Sequence, residues 1–377
     1  MEKNLNPFLT IGYESKSYFC DREDELEILG KNIKNGINMT LISARRLGKT
    51  ALIYRFFEDL EHENYRCIYV DIFACTNLKD FTEELALAIF NRFPQKRGIG
   101  LRFLDFLKNL RPVIRYDSLT GQPEIRFEST QPKEYEHTLR SLFQFLDNQQ
   151  MQVVLAIDEF QQIADYPEKN MEALLRMIIQ TLKHIRFIFS GSNKHMMLEM
   201  FHTANRPFFA STQIMGLSEI QEDKYKMFIR EKFAERNRSI DDDAIDFILQ
   251  WTLSHTYYTQ IICNGVFANG KKHVHIEHVK RVCDAQLNLQ QVTNIQYRSL
   301  LSPIQWKLLV AIAKEGFVSE PQAQNFLKKH KIGAASSAQK ALKALLDKEM
   351  IFSIDTPEKT VYRVYNVFLM RWLERIF

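Results

Sequence analysis

Cysteine is scarce and poorly placed for cross-linking. The five in this chain (Cys20, Cys67, Cys75, Cys263 and Cys283) are odd in number, scattered, and never spaced as CxxC. That argues against both a disulfide framework and a zinc site, and predicts reduced core thiols. Long apolar runs are missing too: uninterrupted ones, such as VVLAI at 153 to 157, fall far short of a membrane span. The opening MEKNLNPFLT has no apolar run behind a basic segment, so we expect a cytoplasmic protein with no membrane partner. No internal repeat or low-complexity segment interrupts the chain.

What is present is an ordinary globular balance. Of 377 residues, 45% are apolar and 25% charged, which predicts folding, and the length points to two or three domains. The net charge is +4, yet from Leu301 to Phe377 twelve Lys or Arg face seven Asp or Glu. A basic C-terminal module permits nucleic-acid contact without establishing it.

Through the first half, apolar β-prone runs alternate with helical ones: NMTLIS, then a helix from about Thr50; CIYVDIF, then a helix from about Leu78; then VVLAID, RFIFSG and TQIMGL. Strands that are apolar throughout, separated by helices, predict an α/β core with a parallel sheet covered on both faces. Residues 112 to 129 (PVIRYDSLTGQPEIRFES) break the alternation and read as an inserted β-hairpin around Thr120-Gly121. A surface decoration is the plainer reading of it. From Ile220 the pattern turns helical, with IDDDAIDFILQW offering a capped, acidic helix start. After Ser302-Pro303 come three helical stretches and then IFSI and VYRVY around Thr356-Pro357, the order of a winged helix-turn-helix. The expected domains are an α/β core over 1–219, a helical lobe over 220–295 and a winged helix over 296–377.

The stretch LISARRLGKT at 41 to 50 ends like a phosphate-binding loop but begins it with Ser43 where glycine is usual. Its context supports the match, because an apolar strand precedes the triplet and a helix follows it, aiming backbone N–H groups and the positive helix end at a phosphate. Gly48 would let the backbone approach phosphates, Lys49 would reach the β and γ oxygens, and Thr50 would place its hydroxyl on Mg²⁺. The expected contact set is Ser43, Ala44, Arg45, Arg46, Leu47, Gly48, Lys49, Thr50 and Ala51. Arg45 and Arg46 read equally well as a solvated loop surface. After the strand VVLAI, Asp158 would hold Mg²⁺ and Glu159 would orient or deprotonate an attacking water. Ser192 and Asn193, after RFIFSG, stand where a polar side chain could sense the γ-phosphate; alone they would be only a turn.

In this order, FCDREDELEIL, TLISARRLGKT, AIDEFQQI, FSGSNKHMM and RPFFASTQIMGLSEI resemble the archaeal-type ATPases of the AAA+ and STAND group. The resemblance extends to the C-terminal YRVYNVFLMRWL. It implies a five-stranded parallel P-loop core, a helical lid, a winged-helix module, and ATP with Mg²⁺ as ligand. The segment around Phe19 and Arg22 resembles the family's adenine-side box, although a capping turn fits those residues as well. Several positions depart from the pattern. Ala210 and Ser211 stand where many relatives have Gly-Arg, which leaves Arg206 as the nearest substitute for an arginine acting in trans. Thr256 sits where relatives often have proline. No Lys or Arg occurs between Ser239 and Gly270, so His255 is the only candidate cation there. Slow or partner-dependent hydrolysis is the expectation.

Two functions compete, beside a third, a scaffold assembling through a C-terminal aromatic stripe of Phe368, Trp372 and Ile376 at helical spacing, which is more often packing against its own domain. One is an ATP-dependent conformational switch with a protein partner and, with no residue deciding it, a homo-oligomer. The other is a DNA-binding regulator with a structural or vestigial nucleotide site, for which Ser337, Lys340 and Lys343 on the third winged-helix helix would face a major groove.

Overall fold

The structure, a computed structural model, describes residues 6–93, 98–110, 112–116, 118, 122–127, 131–149, 151–356 and 358–377. They divide into two compact units, one of residues 11–219 and one of residues 6–10 with 220–377.

The first unit runs α1 (Glu23–Lys34), β1 (Met39–Ile42), α2 (Lys49–His62), β2 (Arg66–Asp71), α3 (Leu78–Arg92), α4 (Gly98–Lys108), β3 (Pro112–Tyr116), β4 (Pro123–Phe127), α5 (Pro132–Asp147), β5 (Val153–Asp158), α6 (Met171–Thr181), β6 (Ile185–Gly191), α7 (Lys194–His202) and β7 (Gln213–Gly216). Five strands form one parallel sheet in the order β2-β5-β6-β1-β7. Every residue of β1 and β5 is buried, since helices cover both faces. Successive side chains of a strand point to opposite faces, and β5 shows it. Val154 and Ala156 join a cluster with Leu29, Leu52 and Phe56, whereas Leu155 and Ile157 join one with Phe81, Leu139 and Phe143. Each fully buried Val, Leu, Ile or Phe side chain among them contributes about 1.5–3 kcal/mol.

This order sets the carboxyl ends of β1, β5 and β6 side by side, the place where open α/β sheets gather ligand-binding loops. Just beyond β5, the rings of Phe160, Phe189, Phe201 and Phe208 pack at centroid separations of 4.4–5.8 Å. They anchor the segment that carries Glu159.

β3 and β4 pair antiparallel as the expected hairpin; its turn at Thr120-Gly121 and the residues after Phe127, 128–129, lie outside the described residues. The hairpin is tied to the core where Tyr135 Oη donates to Phe127 O at 3.1 Å and Phe127 N–H donates to Glu83 at 3.0 Å.

The second unit runs α8 (Glu222–Ala234), β8 (Ser239–Ile240), α9 (Asp242–Thr252), α10 (Thr256–Ala268), β9 (His273–Val274), α11 (Ile276–Leu289), α12 (Gln291–Ser299), α13 (Pro303–Glu315), α14 (Gln324–His330), α15 (Ala335–Asp347), β10 (Ile351–Asp355), β11 (Thr360–Val364) and α16 (Val367–Ile376). Helices α13, α14 and α15 followed by the β10–β11 ribbon form the winged helix; Pro357, in the wing's turn, lies outside the described residues. Ser302 and Gln305 close a capping box that starts α13. Of the C-terminal aromatic stripe, Phe368 and Trp372 are buried within this unit, and Ile376 stays exposed.

The sequence pattern puts everything before residue 220 in the nucleotide core, but residues 6–10 pack with the second unit. Asn6 Nδ2 donates to Asn264 O at 2.9 Å, Asn264 Nδ2 donates to Phe8 O at 2.7 Å, and the Phe8 ring sits against Phe228, Phe233 and Phe267. So short a segment carries no periodicity that could announce this. All five cysteines are buried thiols, and burial pushes Cys67, Cys75 and Cys283 up to about 12. Among the described residues no helix is long and apolar enough to cross a membrane.

Candidate active site

Between β1 and α2, the loop turns left-handed at Arg46 (φ 65°) and Gly48 (φ 98°). Glycine is needed at the second of these, because a Cβ strains that conformation. Ser43 lies outside the left-handed region, so its lack of glycine carries no backbone penalty. Its side chain and carbonyl also hold the loop lysine. Lys49 Nζ donates to Ser43 Oγ and Ser43 O, both at 3.2 Å, and to Ala44 O at 3.4 Å.

All three acceptors of this buried ammonium are neutral. Burial holds the Lys49 pKa below its ordinary value and Arg45 adds to that, while Asp158 and Glu159 pull it back. A cation held on the loop that opens a helix stands beside the positive helix end, an arrangement suited to an anion.

Asp158, at the end of β5, accepts four hydrogen bonds. Thr50 Oγ1 donates to its Oδ2 at 3.0 Å and Tyr69 Oη at 2.6 Å; Ser190 Oγ donates to its Oδ1 at 2.6 Å and the Glu159 N–H at 3.0 Å. Burial first, then Asp158, drives the Tyr69 phenol far above its ordinary value, so it remains a donor. Across the sheet Asp71 stands in register with Asp158. Burial raises the Asp71 carboxyl, with Asp158 and Glu159 adding to the shift against the opposing Phe73 N–H. Crowded carboxylate and hydroxyl oxygens at adjacent strand ends are the chemistry of a hard dication site.

Glu159 has left-handed backbone (φ 55°), and three donors converge on its Oε2: Gln161 Nε2 at 2.5 Å, Ser192 Oγ at 2.7 Å and Ser192 N–H at 3.3 Å. Arg45 Nε donates to the same Ser192 hydroxyl at 3.3 Å. The phosphate loop, the end of β6 and the carboxylate after β5 are thus joined in one chain of hydrogen bonds.

Residues 19–256 match a family described as "ATPase domain predominantly from Archaea", and residues 293–375 match one described as "Probable winged helix domain". The chain belongs to the archaeal ATPase-domain family. Among solved structures, this ATPase-domain protein is similar to the Walker-type ATPase PABY2304 of Pyrococcus abyssi, with 17% identity, 98% of this chain and 100% of that one covered, and a TM-score of 0.66. It is also similar to Aeropyrum pernix ORC2, solved as ADPNP–ADP complexes (14% identity, 100% and 96% covered, TM-score 0.56), and to ORC1 of the same organism, solved with DNA (12%, 99% and 97%, 0.54). At these identities the likeness establishes the shared P-loop ATPase fold. A comparison with curated proteins gives no match.

Within this family member, the structure brings Ser43, Lys49, Thr50, Asp158, Glu159 and Ser192 together. Asn193 does not join them: its side chain caps α7, accepting from Met196 N–H at 3.1 Å. Arg206 is also committed elsewhere, to Glu172 at 2.5 Å and Glu199 at 3.4 Å within its own unit. Arg22 is buried and bonded to Glu25 at 2.7 Å and to Ser218 O at 2.5 Å, and Phe19 packs on the α1–α2 cluster. Together they form a turn that pins the start of α1 to the segment after β7. His255 precedes α10, its ring tilted against that of Tyr258 at a centroid separation of 4.7 Å. Sequence reasoning missed Tyr69, Ser190, Asp71 and Gln161, whose only local signal is a polar side chain near the end of an apolar run.

Proposed function

We propose that this protein binds ATP with Mg²⁺ and hydrolyses it slowly, as a switch whose nucleotide state is read by the helical lobe (220–295) and winged helix (296–377). The observation that carries the reading is the Lys49 ammonium held on neutral loop oxygens beside the Thr50–Asp158 hydrogen bond. Gly48 and the first N–H groups of α2 receive the phosphates, and Lys49 exchanges carbonyl partners for phosphate oxygens. Thr50 and Asp158 would hold the Mg²⁺, which would supply charge neutralisation at the transferring phosphoryl group. Glu159 accepts the proton of the attacking water. Ser192, already bonded to Glu159, couples that carboxylate to the loop through Arg45. With Arg206 paired in its own chain, a partner supplies any arginine acting in trans, which accounts for slow turnover by the isolated chain.

Lys49→Ala removes the buried cation, and ATP affinity falls at least tenfold, about 1.4 kcal/mol, in calorimetry. Unchanged affinity in a folded variant would remove the site assignment.

A second reading, DNA contact by the winged helix, is favoured by one observation: Lys340 and Lys343 are exposed on α15 while Ala338, Ala341, Leu342 and Leu345 are buried. It predicts phosphate-dominated binding that falls steeply with salt, differs little between sequences, and weakens for all duplexes in Lys340→Ala with Lys343→Ala. No binding to any duplex in low-salt fluorescence anisotropy, with or without ATP, leaves a protein partner for this surface.

A further inference from the structure

We propose a zinc-type transition-metal site on the β8–β9 pair, formed by Asp241, His273 and His275 and separate from the nucleotide site. Each of the three residues offers a ligand atom, and these atoms lie within 4.8 Å of one another. The ladder puts them there. In the sequence His-Val-His, the extended backbone runs from β9 through His275 at the N-cap of α11, so the period of two points both imidazoles to the same side, and the parallel register Ser239↔His273, continued by Asp241 N–H donating to Val274 O at 3.0 Å, brings the carboxylate opposite.

Asp241 occupies the N-cap position of α9, where an aspartate ordinarily accepts from the helix backbone. Here it makes no side-chain cap bond. Its two oxygens go to the rings instead, Oδ1 to His273 Nε2 at 2.8 Å and Oδ2 to His275 Nδ1 at 2.6 Å. The other ring nitrogen of His273, Nδ1, lies 2.6 Å from Ser239 Oγ, the kind of outer hydrogen bond that fixes the tautomer and orientation of a ligating imidazole. His278 stays outside the set, since its Nδ1 accepts the His275 N–H at 3.3 Å.

Two imidazoles and one carboxylate suit Zn²⁺ and its first-row neighbours and disfavour Mg²⁺ and Ca²⁺, which take oxygen donors. Three protein ligands with an open position is a known zinc arrangement. Tetrahedral bonds of about 2.1 Å set ligand atoms about 3.4 Å apart, so the side chains open by about 0.6–0.8 Å as the metal replaces the shared protons, which leave to solvent. The bound ion clips together two segments 34 residues apart and fixes the starts of α9 and α11.

Tag-free, nucleotide-free full-length protein, stripped with chelator, is dialysed against micromolar Zn²⁺ with excess Mg²⁺ and its metal content measured. One Zn²⁺ per chain is expected, with Co²⁺ giving visible d–d bands on substitution; buried thiols offer no rival ligand in the folded chain. His273→Gln, at an exposed strand position, and Asp241→Asn, which loses no cap bond, each lower the affinity at least tenfold, while His62→Gln on α2 leaves it unchanged. No saturable uptake by the folded wild type overturns the site. So does uptake by both variants, with circular dichroism unchanged, that equals the wild type.

Discussion

A residue placed to meet a ligand, the role proposed for Lys49, weighs on the fold that holds it. A buried ammonium bonded only to neutral oxygens carries an unfavourable desolvation term, which is why its folded-state pKa lies below the ordinary 10.5. The unfolded chain therefore binds that proton more tightly. Below the folded value the full penalty is present, and stability recovers as pH rises through the window between the folded value and 10.5. Lys49→Met should stabilise the nucleotide-free protein by about 1 kcal/mol and flatten the alkaline rise of its melting temperature. Wild-type protein, by contrast, should gain stability from ATP and the variant should not. A variant that melts below wild type without nucleotide, on a matched pH series, would show that Lys49 is a structural cation.

At the scale of elements, the end of β6 leaves little room at Gly191. A Cβ on Gly191 would stand 2.4 Å from Gln161 Oε1 and 2.6 Å from both Cγ and Sδ of Met197. Met197 is fully buried in the core cluster and cannot withdraw. Gly191→Ala should destabilise by about 1–3 kcal/mol through overpacking, read as a lower urea midpoint with unchanged slope. Because Gln161 also donates to Glu159, turnover should fall more than ATP affinity does. This element also marks the limit of what the sequence discloses. The strand-loop-helix of residues 39–62 and the acidic end of β5 are contiguous, so their apolar runs and spacing announce them. Tyr69 and Ser190 reach Asp158 from 89 and 32 residues away, through a strand order no local pattern encodes. Asn193 is legible as a polar residue after a strand, but whether it faces a phosphate or caps α7 is decided by where the helix begins. Arg206 likewise reads as a free cation only because Glu172 and Glu199 lie apart from it in sequence.

At the scale of the whole molecule, the question is whether the nucleotide does anything beyond residues 11–219. A ligand shifts a conformational equilibrium only by its differential affinity for the two states, and linkage makes that coupling reciprocal. The side chains gathered at the candidate site all belong to residues 11–219, so a change in α8–α16 between ATP and ADP states tests whether the nucleotide is read by the second unit. Glu159→Gln provides the stable ATP state, since the amide keeps the shape of the side chain but cannot accept the water's proton. If its steady-state turnover matches wild type, Glu159 is not the base and the acidic pair has another role. With turnover stopped, hydrogen exchange is compared between ATP-bound and ADP-bound protein. The switch predicts that amides in α8–α16 exchange at rates differing by about 5- to 150-fold, the range of a coupling of about 1–3 kcal/mol. Differences confined to residues 43–50, 158–161 and 190–192 would instead make the nucleotide a local ligand. The Lys49 site would then stand while the switch is abandoned, and the winged helix would have to be regulated by something other than ATP.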